Sequence, residues 1–300
     1  MRQWWFCGDL ILAGLILAGL IGTPAGAEEV IQYPAPVNER DQRDLYIIEL
    51  LRLALDKTVD SHGPYRLEPA SEALTQSRAL AELSRGRELD VVWSMTSIER
   101  EQLARPIRIP LLKGLLGYRL LIIRDEDAPW FASVDSLDPL REVRAGQGHD
   151  WPDVDILNAN GLSVVRASSY DSLFLMLDQG RFDYLPRGLT EAWAELDQRP
   201  EMAITVAPGL LLYYPTAAYF FVAPDNAPLA ERLTQGLETA IADGSFDRLF
   251  FNHPQHKEAL ARTRASVRRV LTLDNPVLPA ATPLNRPALW YRPDLLPREP

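Results

Sequence analysis

Cysteine is almost missing. Cys7 is the only one in 300 residues, and it precedes an apolar run at the N-terminus. The remainder of the chain can therefore form no disulfide, thiolate nucleophile or zinc–thiolate site. Lysine is scarce too, with only Lys57, Lys113 and Lys257, so arginine carries nearly all the positive charge. Basic residues are outnumbered, 31 Lys and Arg against 41 Asp and Glu, for a formal net charge of -10. That balance argues against nonspecific nucleic-acid binding, which relies on basic surface. No P-loop, nucleophile elbow, zinc-protease helix or dinucleotide-binding turn occurs in the sequence, so neither a cofactor nor a metal is expected. His253 and His256 have metal-like spacing, but no carboxylate accompanies them, and Pro254 is expected to disrupt a helix there.

What is present is an ordinary globular composition, 47% apolar and 24% charged, in a length that suits two domains. The N-terminus has a different character. Arg2 opens a short basic region, residues 10–21 are an unbroken apolar run, and Thr23-Pro24 precede Ala25-Gly26-Ala27. Twelve apolar residues make a helix of about 18 Å, short of the roughly 30 Å hydrocarbon core. Residues 1–27 thus read as a cleavable signal peptide, and the mature chain as periplasmic. Asp9, just before the run, leaves a membrane anchor as the alternative.

Beyond residue 28 the apolar pattern alternates between periods of two and 3.6. Strands are expected at 30–33, 65–68 and 89–93, with helices at 41–57 and 71–85 between them. That order is typical of a parallel sheet covered by helices. Residues 107–112 and 116–123 suit buried strands. A second α/β block follows, with strands at 143–146, 163–166 and 182–186, a Gly-rich turn at 146–152, and helices from 153 and at 169–179. Strands at 202–206 and 219–222 lead to helices at 227–242 and 245–251. Residues 275–300 carry seven prolines and read as an extended tail.

Three stretches resemble the bacterial extracellular solute-binding proteins of family 3, the polar amino-acid type. They are Leu89-Asp90-Val91-Val92-Trp93-Ser94-Met95-Thr96-Ser97-Ile98-Glu99-Arg100, then Gly180-Arg181-Phe182-Asp183-Tyr184, then 229–250 with its Asp243-Gly244-Ser245-Phe246-Asp247 turn. The resemblance spans roughly residues 28–255. It implies an α/β, two-lobed periplasmic-binding-protein fold, each lobe a mostly parallel sheet flanked by helices, joined by a two-strand hinge. Lobe one would comprise 28–118 plus 216–274, and lobe two 119–215. The chain would be a monomer that captures a small polar or anionic solute, an amino acid or organic acid, and serves an ABC permease or a membrane sensor.

The resemblance also implies site residues. Arg100, three after Ser97, would fork onto a ligand carboxylate, with Ser94, Thr96 and Ser97 supplying hydroxyl or backbone donors. The alternative for Arg100 is a solvated helix arginine. Tyr33 lies where an aromatic contacts ligand. In lobe two, Gly188 stands where the family places the aspartate that binds an α-ammonium, and Arg187 precedes it. An unopposed Arg187 would favour a second anion, whereas Glu191 is near enough to replace the aspartate or to pair with Arg187. Arg119 on the crossing strand, Gln147 and Trp151 in the Gly-rich turn complete the set. The rival function is an enzyme on the same fold, similar to cyclohexadienyl dehydratases, with Glu99, Glu101 or Glu191 as the acid. A degenerate member acting through partner contacts is the third reading. No enzymatic role is expected as the first choice.

The leader makes one prediction. Mass spectrometry of the protein from its native envelope should find Glu28 at the N-terminus; retention of Met1 would establish the anchored form.

Overall fold

The computed structural model describes Met1 and residues 28–36, 44–267 and 269–293. The expected leader, Met1 aside, lies outside them, as do the last seven residues of the tail. Among the described residues no helix is long and apolar enough to cross a membrane.

In chain order, β1 (Glu29–Tyr33) leads to α1 (Leu45–Asp56), the short α2 (Val59–His62) and β2 (Tyr65–Pro69). Then come α3 (Gln76–Ser84), β3 (Val92–Met95), α4 (Ile98–Leu103) and β4 (Arg105–Ile107). β5 (Tyr118–Arg124) enters the second lobe, which continues through α5 (Ala128–Ser133), α6 (Asp138–Arg141), β6 (Arg144–Gly148), α7 (Asp153–Ala159) and β7 (Ser163–Ala167). It is completed by α8 (Tyr170–Asp178), β8 (Tyr184–Gly188), α9 (Ala192–Asp197) and β9 (Ile204–Tyr213). β10 (Ala218–Val222) returns to the first lobe with α10 (Ala227–Ala242) and α11 (Ser245–Asn252), and α12 (Pro254–Ser266) and β11 (Arg269–Thr272) follow.

The sheets are mixed rather than mostly parallel. In the first lobe β1 pairs parallel with β2, while β10 runs antiparallel between β3 and β4. The second lobe holds one six-stranded sheet in the order β11-β9-β5-β8-β6-β7. There β6, β7 and β8 are parallel, whereas β5 is antiparallel to both β8 and β9. The antiparallel pairings involve β5, which enters from the other lobe, and β10, which returns from it.

Helix α1 shows why the sequence makes this architecture. Tyr46, Ile47, Leu50, Leu51, Ala54 and Leu55 recur at helical spacing and are all buried. They pack on α10, whose buried face includes Leu229, Leu233, Leu237 and Ala240. Arg232 on that helix is also buried, and it reaches Glu29 at 2.6 Å, the Gly63 carbonyl at 2.8 Å and the Thr58 hydroxyl at 3.3 Å. One side chain thus ties α10 to the start of β1 and to α2.

The end of the chain departs from the sequence reading. Pro254 does not break a helix; it opens α12 from its first turn, where its missing N–H costs no hydrogen bond. Nor does 216–274 stay with lobe one, because β11 pairs in parallel with β9 at the edge of the second-lobe sheet. The Pro-rich segment then runs back along the molecule. Asp274 exchanges hydrogen bonds with Asn160 at 2.8 and 3.0 Å, and Asn275 donates to the Pro215 carbonyl at 2.9 Å. The Val277 carbonyl accepts from the Ile98 N–H at 3.0 Å. Arg286 pairs bidentately with Glu238, both contacts at 2.5 Å. Lys113 donates to the Ala288 carbonyl at 2.9 Å, and Trp290 packs against Gly114. The tail is therefore a strap that starts on one lobe and ends on the other.

The two ordinary crossings touch where Gly117 meets Tyr214. The Tyr214 N–H donates to the Gly117 carbonyl at 3.1 Å, and a Cβ on Gly117 would lie 2.2 Å from the Tyr214 carbonyl oxygen. Backbone cannot yield as a flexible side chain can. Gly117→Ala should therefore destabilise the protein by about 1–3 kcal/mol, read as a lower urea midpoint at unchanged m.

Candidate functional site

A cleft of about 440 Å³ opens between the lobes. Trp93, Ser94, Met95 and Gln76 line it from the first lobe, and Arg119, Trp151, Tyr170, Arg187, Glu191 and Glu195 from the second. Tyr46 and His256 also line it.

The segment after β3 behaves differently from the resemblance. Ser97 caps α4, its hydroxyl accepting the Arg100 N–H at 3.2 Å, so the three-residue spacing is that of a helix cap. Thr96 is fully buried and donates to Glu101 at 2.7 Å. Neither lines the cleft. Arg100 is buried just behind it and is not a solvated helix arginine. Its guanidinium donates to the Ser94 hydroxyl, to the Met95 carbonyl at 3.1 Å and, across the cleft, to the Asp150 carbonyl at 2.8 Å. Burial lowers its pKa to about 10, against the opposing pull of Asp150, Asp153 and Glu99. Tyr33 sits outside the cleft and packs on Trp93, ring centroids 6.0 Å apart.

The second-lobe residues come together. Arg119, the second residue of β5, is buried, 2.8 Å from Asp153 and 2.7 Å from the Tyr214 hydroxyl. Tyr214 also hydrogen-bonds Asp153, closing a buried triad. Burial alone would lower the Arg119 pKa, but Asp153, Tyr214 and Glu191 outweigh it and the net direction is up. Arg187, at the end of β8, is held more tightly still. Its Nε lies 2.8 Å and its Nη2 2.7 Å from the two Glu195 oxygens, and Glu191 is 3.1 Å away. Its guanidinium faces the Trp151 ring at 4.7 Å. Burial again opposes its charge, and Glu191 and Glu195 push its pKa well above the ordinary value.

Arg187 is therefore not unopposed, and the ground for expecting an anionic solute falls. Glu195 was the missing partner. It stands eight residues after Arg187, and only the placement of α9 beside β8 brings the two together. Gly188 lies directly against the Glu191 side chain. Its N–H donates to Glu191 at 2.8 Å, and a Cβ would lie 2.8 Å from the same carboxylate oxygen. Glu191 is thus folded back over this position. Gln147 is fully buried on β6, where its amide donates to the Pro186 carbonyl at 3.3 Å, and it does not line the cleft.

Of the ten residues singled out in the sequence, Ser94, Arg119, Trp151, Arg187 and Glu191 line the cleft, while Tyr33, Thr96, Ser97, Arg100 and Gln147 do not. Of the three candidate acids, Glu99 is exposed and Glu101 is turned toward Thr96 and Arg108. Glu191 alone reaches the cleft. His253 and His256 pack around the Tyr46 ring, with centroids 5.4 and 4.2 Å from it. Among the described residues no group of three His, Cys, Asp or Glu could hold a metal.

No family model matches the chain, and no curated protein sequence matches it. Its fold, however, is that of two-lobed periplasmic binding proteins. An ancestral arginine-binding protein bound to arginine superposes with a TM-score of 0.56 at 17% identity, covering 75% of this chain and 97% of its own. A Salmonella typhimurium periplasmic binding protein of high arginine specificity gives 0.54 at 14% identity, covering 74% and 97%. A histidine kinase sensor domain similar to periplasmic binding proteins gives 0.53 at 16% identity, covering 75% and 95%.

The site carries a pH prediction. Burial depresses His256 to about 4, with His253 adding to the effect and a bond to the Phe250 carbonyl opposing it. The unfolded imidazole, near 6.5, takes its proton first, so this contribution to stability is complete above pH 6.5. It is lost as pH falls from 6.5 to 4, by up to about 3 kcal/mol. His253 is shifted the same way. Melting curves from pH 7.5 to 4 should fall more steeply for the native protein than for His256→Gln.

Proposed function

We propose that this protein is a periplasmic solute-binding protein that captures a small organic solute bearing an amino or guanidino group. It would hand the solute to an ABC permease or report it to a sensor. The observation that carries the reading is the charge of the interlobe cleft. Among the described residues its lining holds six carboxylates (Asp44, Asp150, Asp153, Asp171, Glu191 and Glu195) against two guanidiniums, Arg119 and Arg187. Both guanidiniums already face carboxylates, so an added anion would meet repulsion and an added cation would find acceptors. The aromatic walls Trp93, Trp151 and Tyr170 suit a cation as well. The neighbours of known structure support the class, since they include binding proteins for arginine and a sensor domain. A dehydratase-like role has less support: Glu191, the one candidate acid in the cleft, is engaged by the Gly188 N–H and Arg187.

A thermal-shift panel tests the solute class. A ligand at about 100 times its Kd adds roughly 2.7 kcal/mol to stability, a shift of several degrees. Lysine, arginine or the corresponding amines should raise the melting temperature, and succinate and glutarate should not. The reverse pattern would overturn the reading.

A further inference from the structure

The cleft mouth contains a contact that resembles a bound ligand but belongs to the chain itself. Helix α3 begins after Thr75, whose side chain caps nothing. The Ser77 N–H in its first turn instead donates to the Asp150 carboxylate at 2.9 Å, across the cleft from the turn after β6. The Arg100 guanidinium donates to the carbonyl of the same residue at 2.8 Å. Ser94, which accepts from Arg100, in turn donates to Gln76 at 3.3 Å, joining the helix start and the guanidinium into one network. A helix N-terminal N–H and a guanidinium are both donors that suit a carboxylate, and Asp150 occupies both, the first with its carboxylate and the second with its backbone carbonyl. Here the carboxylate is supplied from within.

We propose that Asp150 stands in for a ligand carboxylate, bridging the lobes by itself and leaving the cleft to solutes that carry a cation and no carboxylate, such as simple amines or guanidines. This rests on the reading of the cleft as a cation site and narrows it. An α-amino acid would bring a second carboxylate to donors already in use and place it beside Asp150, a like-charge contact. An amine of the same length would avoid both.

Matched pairs decide the matter: agmatine with arginine, cadaverine with lysine, putrescine with ornithine. Calorimetry on the native protein should find the amine of at least one pair bound about tenfold or more tightly than its amino acid, the size of one charge-assisted hydrogen bond. Asp150→Ala frees the α3 N–H and removes the repulsion, so it should narrow or invert that preference by raising amino-acid affinity. Asp150→Asn keeps an acceptor oxygen without the charge and should fall between the two. Circular dichroism and melting curves establish that each variant is folded. Amino acids binding as tightly as amines to the native protein, or no gain for amino acids in a folded Asp150→Ala, would overturn the role of Asp150 while leaving the solute-binding reading intact. No binding by any member of the three pairs would remove the cation-site reading, and this inference with it.

Discussion

Three guanidinium groups buried where the lobes meet constrain everything around them. A guanidinium out of water is costly unless its donors are filled and its charge is opposed. Each of the three solves this differently. Arg187 is clamped by two carboxylates from the loop and helix that follow β8. Arg119 shares a buried triad with Asp153 and Tyr214, joining the first turn of α7 to the hinge. Among the described residues Arg100 bonds only hydroxyl and carbonyl oxygens, one of them on the opposite lobe. The Arg119 triad is internally neutral and the Arg187 cluster carries one carboxylate in excess, and both tie elements of the second lobe together. The third is satisfied only while the lobes are together, so separating them exposes or orphans one of its partners.

The charge pattern sets the sign of the cleft's own field. Arginines in a binding cleft are commonly read as anion hooks, and the sequence invites that reading at Arg187. The geometry reverses it, because a hook already holding two carboxylates contributes little net field. What remains is the excess of acid in the lining, in line with the acidic chain as a whole. A small cation would be drawn toward such a cleft at low ionic strength and less so in salt.

Much of this was legible in the residues. The stripe along α1 and the two α/β blocks follow from periodicity alone. Arg100 was legible as a residue of consequence, through its spacing from Ser97, but not its partners. The same spacing serves a helix cap, and nothing local reveals that Asp150, fifty residues away, faces it. Glu195 is hidden in the sequence for the same reason: its tie to Arg187 depends on how α9 lies beside β8. Pro254 misled because proline within a polar run suggests a break, whereas at a first turn it is compatible with a helix. The strap was hidden by composition, since prolines and sparse apolar residues describe an extended segment without saying what it lies against.

The strap bears on how the lobes can move. A two-crossing hinge opens by changing a few backbone dihedrals. Here the chain crosses twice more: α12 carries it from α11 to β11 on the second-lobe sheet, and the strap returns past Asn275 and Val277 to Trp290 on the first lobe. Opening must therefore stretch or peel an ordered segment as well as bend the other crossings. Peeling from the Trp290 end would uncover apolar surface and break the Arg286–Glu238 pair, whereas bending near Asn275 and Pro276 leaves both intact. Motion of small amplitude about that point is the less costly course, and it matches a cleft whose two walls are already joined through Asp150. A two-lobed fold held by both the strap and the Asp150 contact would rest near its closed form.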